Sequence, residues 1–392
     1  MNIGRTIFTQ LMDFFPEHEF NLAVRRHHGN RRIRSFSCRD QFMCMAFAQL
    51  TYRESLRDIE TCLGSLGSKL YHCGIHSQVS RSTLADANEK RPWQIYQDTA
   101  FALIDRARVL YKEDRFIAEL DQAIYALDST IISLCLSLFP WAKAANHQKT
   151  SAGVKLHTLF AVQSHLPVFS MVSNANVNDV HMLDEIIYEP GSIYVLDRGY
   201  TDLVRLKRID NAGAFFIIRA KTGLRFTRIY SAPVRKEVGI RADQTITLDI
   251  ALSRLRYPDN LRRVKYYSDE KDKSFVFLTN NFLLDAKTIA DLYRSRWQIE
   301  LFFKWIKQHL RIKAFYGTSP NAVRTQIWIA LSVFVLVAIV KKELKLDLSL
   351  YTILQILSVS LFEKEPIYQR LTEFNNIIDT CLSTKQLYLF TS

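Results

Sequence analysis

The sequence predicts an α/β protein in which a helical N-terminal domain precedes a mixed core that is interrupted by a β-rich insertion. Three observations indicate this fold. Apolar residues recur at helical spacing before residue 118, short apolar runs typical of strands dominate from 119 to 282, and helical spacing returns from 283. The 392 residues are 48% hydrophobic and 23% charged, which is typical of a folded chain and excludes a disordered one.

The expected domain boundaries follow these changes of pattern. Residues 1–118 form the helical N-terminal domain, 119–212 the first part of the core, 213–282 the β-rich insertion, 283–345 the second part of the core, and 346–392 a helical C-terminal region. The core is therefore expected to be discontinuous in sequence.

The charge of the chain predicts a polyanionic partner. Lys and Arg total 52 against 39 Asp and Glu, a net charge of +13. Between Asn21 and Arg39 there are basic residues and no acidic one, and Arg31, Arg32 and Arg34 in this block are candidate DNA phosphate contacts. A solvated loop with an incidental run of charge is the alternative.

Two short helices are expected inside the N-terminal domain. Apolar spacing predicts one over 52–66, and Ser82 can cap a second that ends near Arg91, before a proline. The pair resembles a helix-turn-helix, although any helical hairpin gives the same pattern.

No targeting segment is visible, so the protein is expected in the cytoplasm, at the nucleoid. The longest apolar stretch, Ile327 to Val340, is shorter than the ~20 residues that span a bilayer, and it predicts a buried core helix rather than a membrane segment. No glycine-rich phosphate loop is present, so no nucleotide cofactor is expected.

The first part of the core is predicted as strands followed by alternating elements. Strands are expected over 124–132, 154–162, 166–172 and 193–196, and helices over 176–187 and 201–211. The first three strands suggest an antiparallel meander, and the fourth carries Asp197 into a turn that contains Gly199.

Basic residues accompany the strands. Those of the insertion are Arg219, Lys221, Arg225, Arg228, Arg235 and Lys236, and those of the first sheet region are Lys143, Lys149 and Lys155. Both groups suit contact with nucleic acid, and a solvated sheet surface is the alternative for each.

A polar stripe is predicted on a helix over 293–307. At about 100° per residue, Tyr293, Arg296, Glu300 and Lys307 fall within roughly 60° of one another. The alternative is an exposed face with an Arg296–Glu300 charge pair. Trp297 is either a platform for a displaced base or a core residue.

This stripe resembles the signature of the DDE transposases of the insertion-sequence-four family, within the RNase H-like superfamily. The signature is Tyr, two residues, Arg, three residues, Glu, six residues and Lys, and every spacing matches. Leu-Asp-Ser-Thr around Asp128 and Leu-Asp-Arg-Gly-Tyr around Asp197 are similar to the segments that carry the family's first two carboxylates. The resemblance covers about residues 125–336.

The resemblance implies an RNase H-like catalytic core with Asp128, Asp197 and Glu300 as catalytic and metal-binding residues. Phosphodiester transfer needs charge stabilisation on the attacking and leaving oxygens, which two hard cations held by carboxylates supply. Two Mg²⁺ ions are expected, with Mn²⁺ able to substitute. Tyr293, Arg296, Trp297 and Lys307 are the expected DNA contacts beside them.

The function implied is cut-and-paste transposition by a homodimer that pairs the terminal inverted repeats of an insertion sequence and joins them to target DNA. Two alternatives stay open. One is a structure-selective nuclease without strand transfer, and the other is a DNA-binding protein derived from a transposase that has lost catalysis.

Overall fold

The computed structural model describes residues 4–67, 69–76, 78–113, 120–146, 149–309 and 315–373. It consists of two compact units. The helical unit comprises Met1–Lys112 and Trp305–Ser392, and the sheet unit comprises Glu113–Lys304. The helices after residue 315 pack with the N-terminal ones, so the C-terminal part of the chain belongs to the helical unit.

The elements in chain order are as follows. The helices are α1 Ile7–Met12, α2 Glu17–Arg26, α3 Cys38–Leu50, α4 Leu56–Ser65, α5 Lys69–His72, α6 Arg81–Lys90, α7 Gln94–Leu110, α8 Leu203–Asn211, α9 Ala251–Arg256, α10 Ala286–Ser295, α11 Trp297–His309, α12 Pro320–Glu343 and α13 Leu350–Ser360. The strands are β1 Ile124–Leu134, β2 Lys143–Asn146, β3 Lys149–Ala161, β4 Leu166–Asn174, β5 Ile193–Leu196, β6 Phe215–Arg219, β7 Phe226–Ser231, β8 Ile240–Leu248, β9 Leu261–Ser268 and β10 Lys273–Thr279.

Helix α12 forms the core of the helical unit. It contacts α3, α6, α7 and α13, and its side chains from Ala322 to Val340 are buried apart from Arg324. At 24 residues it is longer than the apolar stretch that the sequence shows, and by length and composition it could cross a membrane. Because 94% of its apolar window is buried inside the protein, the prediction of a core helix is confirmed.

Hydrogen bonds fasten the start of α12 to the N-terminal helices. The Asn321 side-chain amide donates to the carbonyls of Asn88 and Arg91 at 2.8 and 2.7 Å. The Asn88 side chain in turn accepts from the Gln41 amide at 2.7 Å, inside the unit. The C-terminal helices are therefore part of the same folded body as the N-terminal ones.

The two expected short helices are present as α4 and α6, and they contact each other. Ser80, not Ser82, caps α6. The link between them spans residues 66–80 and contains α5, so it is longer than the three- to four-residue turn of a helix-turn-helix. Both predicted helices are therefore present, but the segment that joins them is too long for a helix-turn-helix.

The sheet unit is built on one ten-stranded sheet. Its order is β2-β3-β1-β5-β6-β10-β9-β8-β7, and β4 also pairs with β3. Strands β1, β3 and β4 form the expected antiparallel meander, and β5 and β6 add to β1 in parallel. The strands of the β-rich insertion belong to the same sheet, because β10 pairs with β6. The expected start of the insertion at residue 213 is therefore not a break in the sheet.

The two faces of this sheet are covered by different helices. On one face, Leu127 and Leu196 belong to a buried cluster that includes Leu206 and Ile209 of α8. On the other face, Phe160 of β3 packs against Phe302 of α11, with ring centroids 5.2 Å apart. Because side chains alternate along a strand, the residues that follow Leu127 and Leu196 point towards α10 and α11.

The segment expected as a helix over 176–187 is mostly irregular, and that prediction is wrong. Its ordered part is a 3₁₀ helix, Asp179–Asp184, which Asn178 caps by accepting from the Val180 N–H.

A buried ion pair joins the insertion to the loop before α10. Arg262 of β9 and Asp243 of β8 are 2.8 Å apart, with side chains only 9% and 14% exposed. The same guanidinium donates to the carbonyls of Asn281 and Leu284, just before α10 begins. The insertion therefore supports the entry to this helix.

We predict that Arg262→Met lowers the free energy of unfolding by about 3 to 5 kcal/mol, because it leaves the Asp243 carboxylate buried without a partner. Urea denaturation measures this. Arg262→Met combined with Asp243→Leu should recover most of the loss, and Arg235→Ala, which breaks the exposed pair with Asp285, should cost less than about 1 kcal/mol. Equal losses for Arg262→Met and Arg235→Ala would contradict this role.

Candidate active site and DNA-binding surface

Two of the predicted carboxylates lie side by side because β1 and β5 are parallel neighbours. Leu127 pairs with Leu196, so Asp128 in the middle of β1 lies beside Asp197, the residue just after β5. Asp197 follows the last residue of β5 and precedes a 3₁₀ turn. Residues far apart in sequence thus reach one place through strand register alone.

The third carboxylate comes from the helices that cover this face. The predicted continuous helix over 293–307 is instead two helices, α10 and α11, that meet at Arg296. The Arg296 N–H donates to the Tyr293 carbonyl, and the Ile299 N–H donates to the Arg296 carbonyl, both i to i−3 bonds that tighten the chain. Glu300 follows in the first turn of α11.

Arg296 joins the carboxylates. Its Nη1 donates to Asp128 Oδ2 at 2.7 Å and its Nη2 to Glu300 Oε1 at 2.5 Å. The Tyr293 hydroxyl donates to Asp197 Oδ1 at 3.3 Å. Asp128, Asp197, Glu300, Tyr293 and Arg296, which the sequence separates by up to 172 positions (300 − 128), therefore form one cluster.

The surroundings of Asp128 disfavour its ionised form. Burial raises the pKa of Asp128 to about 6, and the charges of Asp197 and Glu300 act in the same direction. The Arg296 charge and the Ser129 N–H oppose them. A cluster of three carboxylates of this kind is chemically suited to a divalent metal ion.

The donor set fits a hard cation, but the side chains are not gathered around one. Among the described residues, no three His, Cys, Asp or Glu side chains are grouped closely enough to hold a metal ion. Arg296 bridges Asp128 and Glu300 instead. The guanidinium takes one oxygen of each carboxylate, which leaves Asp128 Oδ1 and Glu300 Oε2 as the oxygens not bonded to Arg296.

A second polar cluster lies on the opposite face of the sheet, directly after the first carboxylate. Ser129 Oγ donates to Asp179 Oδ1 at 2.7 Å, and Lys155 Nζ is 2.9 Å from the same oxygen. Lys155 also donates to the Val177 carbonyl at 2.8 Å. No role for Asp179 or for the Ser129 side chain is predicted from the sequence, although a serine next to a candidate catalytic aspartate is a visible signal.

This cluster corrects the expectation for Lys155, which is neither a solvated surface residue nor available for phosphate. It is 7% exposed, because it is paired inside the protein. His157 beside it is fully buried, and burial lowers its pKa to about 4. Lys143 is exposed, as a phosphate contact would require, and the side chain of Lys149 lies outside the part of the chain that the structure describes.

The remaining residues of the stripe differ in exposure. Trp297 is 56% exposed, so the alternative that it is a core residue is wrong. Lys307 lies on the part of α11 that belongs to the helical unit and is partly buried. Its role as a DNA contact stays a prediction.

The basic block forms an exposed loop, residues 27–37, between α2 and α3, which we call the basic loop. Arg31, Arg32 and Arg34 are all exposed on it. No carboxylate among the described residues forms an ion pair with any of the three. Their charges are therefore uncompensated at short range.

The basic loop is held in place at both ends. His27 Nε2 lies 2.9 Å from Asp98 Oδ2 of α7, and the Cys38 N–H donates to the Asn30 side chain at 2.8 Å. A fixed loop with exposed guanidinium groups can bind phosphates with little loss of backbone entropy.

Comparison with known proteins places this geometry in a family. The Transposase DDE domain family matches residues 119–336, and a Domain of unknown function (DUF4372) matches residues 3–76. The first match covers more than half of the chain and includes all three carboxylates.

Relatives agree with this match. A protein named transposase y4zB, of Sinorhizobium fredii, is 33% identical over 290 residues, which cover 72% of this chain and 78% of that protein. The transposase named for insertion sequence element IS5377, of Geobacillus stearothermophilus, is 26% identical over 255 residues, 65% of this chain and 66% of its own. The piggyBac transposase synaptic complex with hairpin DNA covers 93% of this chain and 80% of its own at 9% identity and a TM-score of 0.45, a likeness too distant to carry an argument.

The chain therefore belongs to the DDE transposase family. The resemblance that Tyr293, Arg296, Glu300 and Lys307 indicated is confirmed, and so is the prediction of a transposase.

We predict that Asp128→Asn stabilises the protein at pH 8 in EDTA by about 1 to 3 kcal/mol. With a pKa of about 6 in the folded protein and about 4 in an unfolded chain, the ionised carboxyl destabilises the fold fully above pH 6 and little below pH 4. The gain should therefore shrink between pH 8 and pH 4.5, as measured by urea denaturation. The exposed Asp269→Asn is the control, and a gain independent of pH would contradict the assignment.

Proposed function

We propose that this protein is the transposase of a bacterial insertion sequence, which binds the terminal inverted repeats, cleaves the DNA there and transfers the ends to target DNA. The observation that carries the proposal is the convergence of Asp128, Asp197 and Glu300 in a chain of the DDE transposase family. The strand order, an antiparallel meander extended by two parallel strands, supports an RNase H-like core.

Asp128, Asp197 and Glu300 would hold the divalent ions, for which we propose two Mg²⁺ with Mn²⁺ as a substitute. When bound, the ions supply charge stabilisation for the attacking and leaving oxygens of the phosphodiester. Asp128, Asp197 and Glu300 come from two strands and a helix and all belong to the sheet unit. The fold of this unit therefore orients the three carboxylates without help from the DNA.

Arg296 and Tyr293 hold the carboxylates of the site in the absence of DNA and would contact its phosphates when it binds. The guanidinium neutralises part of the charge of Asp128 and Glu300, which limits their mutual repulsion. A phosphate competes for the same donors, because bidentate guanidinium bonds suit phosphate as well as carboxylate. Trp297, exposed beside them, would stack on an unpaired base.

The basic loop would bind the backbone of the terminal repeat, with Arg31, Arg32 and Arg34 on its phosphates. Lys307 would make a further phosphate contact. Since two ends must be held together for joining, we propose a homodimer on the paired ends, acting on the chromosome in the cytoplasm.

We predict that Glu300→Gln lowers the rate of cleavage at the element end by at least about 10³-fold while leaving end binding within about threefold, because the amide keeps the shape of the side chain and removes its charge. Asp128→Ala and Asp197→Ala should behave alike. The assay is cleavage of a labelled duplex that carries the end and its flank, with Mg²⁺, Mn²⁺ or EDTA.

Glu185→Gln, an exposed change in the same unit, is the matched control and should cleave normally. Full activity of any of the three carboxylate variants would overturn the assignment. Cleavage without joining would support the nuclease alternative, and binding without cleavage under every metal condition would support the inactive DNA-binding protein.

We also predict that replacing Arg31, Arg32 and Arg34 together by alanine weakens binding to the end. The slope of log K against log salt should fall by about 1 for each phosphate that the variant no longer binds. Fluorescence anisotropy over a salt series measures both. Lys364→Ala, an exposed change after α13, should leave the slope unaltered. An unaltered slope in the triple variant would exclude the basic loop from the DNA interface.

A further inference from the structure

Arg219 of β6 lies in line with Asp128 and Asp197 across the three neighbouring parallel strands. Leu127 of β1, Leu196 of β5 and Ile218 of β6 are aligned by the parallel pairing of the three strands. The residues that follow them are therefore aligned as well, and they are Asp128, Asp197 and Arg219. Side chains alternate between the two faces along a strand. Because these three residues are aligned in register, their side chains lie on the same face of the sheet, towards α10.

Arg219 is near the groups of the site without being bonded to them. Its guanidinium carbon lies 5.3 Å from the centroid of the Phe275 ring, and the residue is partly exposed. Burial raises the pKa of Tyr293 to about 12, and the charge of Arg219 is one of those that oppose this rise. The Tyr293 hydroxyl itself lies at Asp197, so the positive charge acts where the second carboxylate is.

The two arginines at the site differ in how their donors are used. Arg296 donates from Nη1 to Asp128 and from Nη2 to Glu300. Within the described ranges, no carboxylate or other acceptor is bonded to the Arg219 guanidinium. The contact with Phe275 is a cation–π contact, which uses none of the guanidinium N–H groups as hydrogen-bond donors, so these groups are available to a ligand.

We infer that Arg219 is a catalytic residue that binds a phosphate of the DNA strand beside the scissile bond and holds that strand against Asp197. The inference rests on the proposed function, since the phosphate is that of the element end. A guanidinium with free donors beside an aromatic ring suits bidentate binding of a phosphate. The alternative is that the Arg219 stacking only stabilises the pairing of β6 with β10.

The chain offers a matched control for this alternative. Arg241 of β8 lies 5.3 Å from the centroid of the Tyr267 ring, and it is exposed in the insertion. Arg241→Ala therefore removes the same charge and the same kind of stacking contact from the same unit, away from the carboxylates. Arg219→Lys keeps the charge and removes the planar fork.

The experiment measures single-turnover cleavage at saturating DNA, with urea denaturation of each variant as the test of folding. We expect Arg219→Ala to cleave about 10- to 100-fold more slowly, Arg219→Lys to lie between it and the wild type, and Arg241→Ala to stay within about twofold. Equal rates for Arg219→Ala and Arg241→Ala would overturn the inference.

A second measurement identifies the phosphate and separates direct binding from a structural effect. Single methylphosphonate substitutions, which neutralise one phosphate at a time, are placed around the cleavage site. At the phosphate that Arg219 binds, the methylphosphonate should lower the cleavage rate of the wild type to that of Arg219→Ala on unmodified DNA. The same methylphosphonate should not lower the cleavage rate of Arg219→Ala any further. Additive losses at every position would show that Arg219 acts only on the fold.

Failure of this inference is distinguishable from failure of the proposed function. If Glu300→Gln abolishes cleavage but Arg219→Ala behaves like Arg241→Ala, only the role of Arg219 is lost. If Glu300→Gln cleaves normally, the active site itself is misassigned, whatever the result for Arg219.

Discussion

The parallel pairing of β1 with β5 is the constraint on which the site depends. It places Asp128 and Asp197 next to each other, where their charges repel, and Glu300 adds a third. A site of this kind destabilises the fold around it until a cation relieves it, and here Arg296 supplies part of that relief. The charge repulsion at this functional site is offset by the large hydrophobic core beneath the sheet.

The β-rich insertion contributes to the site through the helix that it supports. Arg262, which is paired with Asp243, donates to two carbonyls of the loop before α10. Tyr293 on α10 packs its ring 4.6 Å from that of Phe277 in β10. The insertion therefore helps to hold the helix that carries Tyr293. The insertion thus has a structural role in addition to any contact with DNA.

Local patterns predicted much of this from the sequence. The strand runs, the buried α12 and the spacing of Tyr293, Arg296 and Glu300 all follow from short-range periodicity, which the local backbone obeys. Errors arose where side chains form bonds that periodicity does not record. Arg296 lies in a tight turn that interrupts the predicted helix. The buried partner of Lys155 lies 24 positions away (179 − 155).

The sequence by itself determined which chemical groups the protein has, the elements that carry them and the family to which it belongs. Only the tertiary structure decided which groups meet. Strand register places Asp128, Asp197 and Arg219 side by side on neighbouring strands. Helix α12 packs the C-terminal part of the chain against the N-terminal helices. The physical reason is that contacts between residues far apart in the chain depend on sheet order and packing, which no local periodicity specifies.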